Sequence, residues 1–131
     1  MFRLLALLNA LVVLPFAVSV LAAPDFTFAQ FGIELGPEGA GVARGYGATA
    51  LGWGLVCLML ARSAVAEVKR AVTLASLAFN AAEVLIQVPV AWSGIAGPMI
   101  WTTIVAHAGL AALSLWLLVR GSGAGARAHA L

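Results

Sequence analysis

Charged side chains are scarce in this chain. They make up 9% of its 131 residues, whereas 63% of the residues are hydrophobic. The mean hydropathy of +1.08 lies well above the range of soluble globular proteins. The formal net charge is only +2, and no basic patch with interleaved aromatic residues indicates nucleic-acid binding. The composition therefore predicts an integral membrane protein.

Cysteine and histidine are also few. The single cysteine, Cys57, excludes an intrachain disulfide. Only one of the two histidines, His107, falls in a predicted membrane span, so a haem with two histidine ligands from one chain is not expected. Together with Glu83, His107 gives two good metal ligands, and zinc requires three or four. No metal site is predicted.

Four apolar segments lie at residues 4–23, 42–60, 71–90 and 98–119. Each is close to the length of about 20 residues that spans a bilayer. We therefore predict one all-α domain over residues 1–131, a four-helix membrane bundle with an outer loop at 24–41 and a flexible tail at 120–131. The first segment has an alternative interpretation as a signal peptide, but its apolar run is about twice the usual length.

The basic residues predict the topology. Six of the seven fall on one side of the four segments and only Arg44 on the other; the six are Arg3, Arg62, Lys69, Arg70, Arg120 and Arg127. By the positive-inside rule, both termini are cytoplasmic and the protein is a multi-pass protein of the plasma membrane.

The outer loop and the second helix carry aromatic and small residues. Phenylalanines at the start of the loop predict a short element in the membrane interface, followed by glycine-rich turns. In the second helix, the pairs Ala48/Gly52 and Ala50/Gly54 have the spacing that permits close helix packing. We expect this helix to be central in the bundle and Tyr46 to lie in the aromatic belt at the membrane interface.

A polar stripe runs along the third helix. Its members share an arc of about 80° on a helix with 100° per residue; they are Thr73, Ser76, Asn80, Glu83 and Gln87. Glu83 is the only ionisable residue between positions 71 and 90. A carboxyl group at this depth costs about 3 kcal/mol if it stays charged in lipid, so it is a candidate functional site.

Two partners for Glu83 follow from depth. Antiparallel packing of the third and fourth helices, at ~1.5 Å per residue, places His107 nearly level with Glu83. His107 shares a face with Thr103 and Ser114, so a Glu83–His107 hydrogen bond is the expected pairing. Arg44, on the second helix, is the rival, since its long side chain can reach inward. The stripe is then either a network that fixes helix register or a site for a proton, a ligand or a reaction.

The chain resembles a known group over most of its length, including the first helix and the phenylalanine-rich outer loop that ends in Glu38. Residues 43–48, Ala-Arg-Gly-Tyr-Gly-Ala, followed by Gly52 and Gly54, are similar to the start of the second helix in small four-helix bacterial membrane proteins near the DoxX-like group. The resemblance implies a four-helix fold in a bacterial inner membrane but no common reaction. Some DoxX-like proteins are linked to quinone-coupled oxidation, which keeps a quinone or lipid pocket as an alternative.

The functional prediction is a non-enzymatic inner-membrane protein without a cofactor. It is either free-standing or an accessory subunit, with the lipid bilayer and other membrane subunits or a second copy as partners. The alternative is a proton-coupled transporter, or a quinone- or lipid-binding protein, that uses Asn80, Glu83 and Gln87 with His107 or Arg44. An enzyme is the third class.

Overall fold

The computed structural model describes the backbone of residues 1–128 and the side chains of residues 1–120. This part of the chain folds into five α-helices without a β-strand, which confirms the all-α prediction. They are α1 (Phe2–Ala22), α2 (Pro24–Ala29), α3 (Pro37–Leu60), α4 (Ala66–Trp92) and α5 (Ile100–Ala128). Of the predicted flexible tail, residues 120–128 continue α5, and residues 129–131 lie outside the described residues.

Two helices, α3 and α4, begin more than one helical turn before their predicted apolar segments. α3 starts at Pro37 rather than at residue 42, and α4 starts at Ala66 rather than at residue 71. Proline suits the first position of a helix, and Glu38 and Glu67 place acidic side chains in the first turns, where the helix dipole favours them. The first turns of both helices are therefore more polar than the apolar segments that follow them.

Three helical segments are long and apolar enough to cross a membrane: Phe2–Ala22, Ala66–Trp92 and Ile100–Arg120. α3 has 24 residues, about 36 Å at 1.5 Å per residue, so its length is sufficient. It is not among the three segments above, and its first half contains several glycines and Arg44.

The long helices pack as two pairs, α1 with α3 and α4 with α5. α1 also contacts α2, α4 and α5, whereas α3 makes few contacts with α4 and, within the described residues, none with α5. The prediction that the second predicted helix, now α3, is central is therefore wrong. α1 takes that place because small residues such as Ala6, Ala10 and Ala17 are buried along it and let several neighbours approach closely.

The α1–α3 contact is antiparallel and depends on glycine. A Cβ atom added to Gly54 would lie 2.6 Å from Cδ2 of Leu14, and one added to Gly47 would lie 3.1 Å from Cγ1 of Val20. The later residue of α3 thus meets the earlier residue of α1. Residues 47–54 of α3 therefore lie alongside residues 14–20 of α1.

Of the two pairs of small residues predicted to pack in α3, one is buried and the other is not. Ala50 and Gly54 are buried as expected, but Ala48 and Gly52 are exposed, and a Cβ on Gly52 would meet nothing within 4 Å. Gly47 takes their place on the buried face. Small residues occur on more than one face of this helix, so their spacing alone does not show which face meets α1.

The segment between α1 and α3, residues 23–36, folds over the bundle and is called the covering segment below. The α2 residue Thr27 shares a hydrogen bond of 2.6 Å with Ser19 of α1. Past α2, the amide of Gly97 in the α4–α5 turn donates to the carbonyl oxygen of Phe31 at 2.6 Å. Gly32 has a φ of +72°, a conformation that favours glycine. These contacts hold Phe28 and Phe31 against the helices, so the predicted short element is a helix attached to the bundle.

Candidate functional site: a polar network beside an apolar cavity

The polar stripe of α4 faces the interior of the bundle. Thr73, Ser76, Asn80 and Glu83 are buried, and Gln87 is half-buried. The helical period of 3.6 residues puts these side chains on one face, and that face meets α1 and α5. Each buried polar side chain then needs a partner within the bundle.

Glu83 is 9% exposed and accepts two hydrogen bonds. The hydroxyl of Tyr46, on α3, donates to Oε1 at 2.9 Å, and Nε2 of Gln87, one turn further along α4, donates to Oε2 at 2.9 Å. The predicted pairing with His107 is therefore wrong. The rival pairing with Arg44 is wrong as well, because the carboxylate partners are Tyr46 and Gln87 and the Arg44 side chain is exposed.

Asn80 is the partner of His107. Nδ2 of Asn80 donates to Oδ1 of Asn9 on α1 and to the carbonyl oxygen of Ser76, both at 2.8 Å. Its Oδ1 lies 2.7 Å from Nδ1 of His107 on α5. One amide therefore joins three helices, α1, α4 and α5.

This arrangement determines the role of each ring nitrogen in His107. Oδ1 of Asn80 can only accept, so Nδ1 of His107 carries the proton and donates. In the neutral ring, Nε2 is then an acceptor. Within residues 1–120, Nδ1 makes the only hydrogen bond of the ring. His107 is 6% exposed and lines the cavity described below, so Nε2 is available to a molecule in that cavity.

A third link joins α4 to α5. The hydroxyl of Thr103 lies 2.5 Å from Oε1 of Gln87 and 2.8 Å from the carbonyl oxygen of Ile100. A hydroxyl has one proton, so it donates to one of these oxygens at a time. Gln87 thus orients its amide with the nitrogen toward Glu83 and the oxygen toward Thr103.

A cavity of about 330 Å³ lies beside this network. Most of its wall is apolar, and its polar contributions converge from three helices. Its lining consists of Val12, Val13 and Phe16 of α1, Phe28, Phe31 and Ile33 of the covering segment, Tyr46 of α3, Glu83, Ile86, Gln87 and Val90 of α4, and Ile100, Thr103 and His107 of α5. An apolar pocket with a few convergent polar groups is the usual form of a small-molecule site.

Phe16 organises the aromatic part of the cavity wall. Its ring meets three others edge to face, with centroid distances of 6.3 Å to Phe28, 6.2 Å to Phe31 and 6.0 Å to Tyr46. Edge-to-face pairs at such distances are favourable beyond the area they bury. The covering segment is therefore attached to α1 and α3 through the same rings that line the cavity.

Sequence reasoning missed two members of the network. Asn9 was not assigned to the site, although a lone amide in the middle of an apolar helix is a signal for an interhelical partner. Tyr46 was placed in the interface belt because it lies near the outer end of its helix. It is the only tyrosine in the chain, and neither its type nor its depth distinguishes an interface residue from a ligand of Glu83.

Two buried polar atoms lack a partner within the described part of the chain, Nε1 of Trp53 and Oγ of Ser76. The Trp53 ring packs against Phe79 at 5.9 Å, and Phe79 contacts His107 at 6.0 Å. Ser76 takes part in the hydrogen-bond network through its backbone carbonyl oxygen, which accepts from Nδ2 of Asn80.

A second cavity, of about 350 Å³, lies near the other end of the bundle. Phe2, Lys69, Arg70, Thr73 and Leu117 contribute to its lining. Its charged residues are basic, in contrast to the acidic Glu83 of the first cavity.

Comparison of the chain with known protein families, with curated proteins and with solved structures gave no match. The resemblance to the DoxX-like group stays a prediction.

Proposed function

We propose that this chain is a non-enzymatic, multi-pass membrane protein that binds a small, mostly apolar ligand with a polar head. The observation that carries the proposal is the cavity of about 330 Å³, whose mostly apolar wall includes Glu83 and His107. Its volume lies at the small end of the range for drug-sized ligands, about 300–1,000 Å³. A quinone or a lipid headgroup, the ligand classes predicted from the sequence, stays a prediction.

The arrangement of polar groups supports binding rather than catalysis. Both oxygens of Glu83 accept hydrogen bonds from neutral groups, and the Thr103 hydroxyl lies against two carbonyl oxygens, those of the Gln87 side chain and the Ile100 backbone. The network holds side chains in place and leaves Nε2 of His107 for a ligand.

Four membrane spans complete the proposal. α3 is not among the three segments that are apolar enough to cross a membrane, but its residues 47–54 pack beside residues 14–20 of α1. If α1 crosses the bilayer, this part of α3 lies within the same layer. With four spans, the charge distribution places both termini in the cytoplasm, in the inner membrane of a bacterium, with the chain free-standing or assembled with other subunits.

Reporter fusions test the topology. We expect a green fluorescent protein fused after Leu131 to fluoresce, and alkaline phosphatase inserted between residues 33 and 36 to be active. Phosphatase activity from a fusion after Leu131 would show that the C-terminus is outside and would contradict the four-span topology.

Titration with 4-(trifluoromethyl)phenol, followed by ¹⁹F NMR on the full chain in detergent, tests ligand binding. This probe combines an apolar ring with one hydroxyl. We expect saturable binding that Val90→Trp abolishes, because Val90 lines the cavity. The matched control is Val105→Trp, at an exposed position on α5, which separates cavity binding from partition into the micelle. Equal binding by both variants would overturn the proposal.

A further inference from the structure

The cavity wall carries one acidic side chain and, among its described residues, no lysine or arginine. The acid is Glu83, and both of its hydrogen-bond donors, the Tyr46 hydroxyl and the Gln87 amide, are neutral. Burial of an ionised carboxylate is costly unless a charge of opposite sign approaches it. The described side chains of the cavity wall supply hydrogen bonds to Glu83 but no cationic partner.

The same wall is aromatic. Phe16, Phe28, Phe31 and Tyr46 all line the cavity, and their rings form one contiguous cluster around Phe16. Aromatic faces attract ammonium groups through the ring quadrupole, and this attraction is stronger where water is excluded. Aromatic rings beside a carboxylate form the environment in which proteins bind organic cations.

The remaining titratable group on the wall also disfavours an anion. Nδ1 of His107 is occupied by Asn80, so the neutral ring offers Nε2 as an acceptor. An acceptor suits a ligand that donates, such as a protonated amine, whereas a phosphate or carboxylate head would meet Glu83 as a like charge. Tyr46, Glu83 and His107 are the titratable groups that line this cavity.

Building on the proposed function, we infer that the ligand is a small lipophilic organic cation, either a protonated amine or a quaternary ammonium. Its ammonium group lies beside Glu83 and the rings around Phe16, and its apolar part occupies the rest of the cavity. The ammonium belongs either to a free amine or to a lipid headgroup, since both present the same chemistry to this wall.

A matched pair of probes isolates the charge. Benzyltrimethylammonium and neopentylbenzene have the same shape and differ in one central atom, a cationic nitrogen or a carbon. For the full chain in detergent, we expect the cation to bind about tenfold more tightly than the hydrocarbon, in competition with 4-(trifluoromethyl)phenol observed by ¹⁹F NMR. Glu83→Gln should reduce this preference to less than about threefold. Glu67→Gln, at an exposed acid on the same helix, should leave it unchanged.

The outcomes separate the inference from the proposed function. If the wild-type chain binds the hydrocarbon as well as the cation, or if the cation preference survives Glu83→Gln, the inference is overturned and the apolar site stands. If neither compound competes and the phenol does not bind, both fail. The wild-type comparison decides even if Glu83→Gln does not fold.

A further competition identifies the source of the ammonium. Displacement of benzyltrimethylammonium by phenethylamine supports a free amine, and displacement only by dihexanoyl phosphatidylcholine supports a lipid headgroup. Displacement by neither compound contradicts the inference.

Discussion

The Tyr46 hydroxyl donates a hydrogen bond of 2.9 Å to Oε1 of Glu83, across two helices that otherwise make few contacts. α3 is attached mainly to α1, and α4 mainly to α5. The Tyr46–Glu83 pair therefore links the two helix pairs directly at the cavity wall. It also couples the position of α3 to the carboxylic acid side chain of the cavity wall.

Tyr46→Phe removes this link and leaves the ring in place. We expect it to destabilise the protein by about 1–3 kcal/mol, because the buried carboxylate loses one of its two donors. Unfolding in mixed micelles with increasing dodecyl sulfate measures the change. The matched control is Thr49→Val on the exposed side of the same helix, where the hydroxyl bonds only to the Gly45 carbonyl oxygen. We expect that variant to lie within about 0.5 kcal/mol of the wild type.

A double-mutant cycle of Tyr46→Phe with Glu83→Gln tests whether the two residues interact energetically. Residues in one hydrogen-bond network show coupling of about 0.5–3 kcal/mol. Strictly additive effects would contradict a direct bond between them.

Asn80→Leu should be the most destabilising change in the stripe. It leaves Oδ1 of Asn9 without its donor and Nδ1 of His107 without its acceptor. Two buried polar groups without partners predict a loss of about 2–4 kcal/mol in the same unfolding measurement. A loss no larger than that of an exposed substitution, such as Thr49→Val, would show that water replaces the amide.

Ser76 and Asn80 lie on the same face of α4, but we expect Ser76→Ala, unlike Asn80→Leu, not to destabilise the protein. Oγ of Ser76 is buried without a partner, and the carbonyl oxygen that Asn80 uses remains after the substitution. Alanine also has a higher helix propensity than serine, so we expect stability to be unchanged or raised by about 0.5–1 kcal/mol. Clear destabilisation would indicate that this hydroxyl makes a stabilising hydrogen bond.

Gly54→Ala and Gly52→Ala compare the two faces of α3. At Gly54 the new methyl group would overlap the Leu14 side chain, so we expect destabilisation by about 1–3 kcal/mol. At Gly52 the space is open, and alanine should be neutral or stabilise by up to about 1 kcal/mol. If Gly52→Ala were the more damaging change, α3 would pack through the face that includes Ala48 and Gly52.

Local features of the sequence predicted the helices and the inward face of α4. The burial of Thr73, Ser76, Asn80 and Glu83 follows from residue type and helical period, because both are properties of a short segment. Helix ends were less predictable. α3 and α4 begin in polar turns, and the apolar segments do not include those residues.

The pairing of side chains was not predictable in the same way. The depth of a residue follows from counting along the helix from the α4–α5 turn. This count correctly predicted that the α5 residues near His107 lie level with the polar stripe of α4. It does not give the rotation of each helix about its axis. Rotation decides whether Glu83 meets His107 or Tyr46, and whether Gly47 or Gly52 meets α1.

The sequence by itself therefore determined an all-α, strongly apolar chain with a polar stripe centred on Glu83, because composition and helical periodicity are properties of short segments of the chain. Only the tertiary structure decided that α1 is central, that Tyr46 and Gln87 hold the Glu83 carboxylate, and that Asn80 joins Asn9 to His107. The cavity also exists only in three dimensions. It arises where two helix pairs and the covering segment meet, and its lining residues are separated by up to 95 positions in the chain, from Val12 to His107.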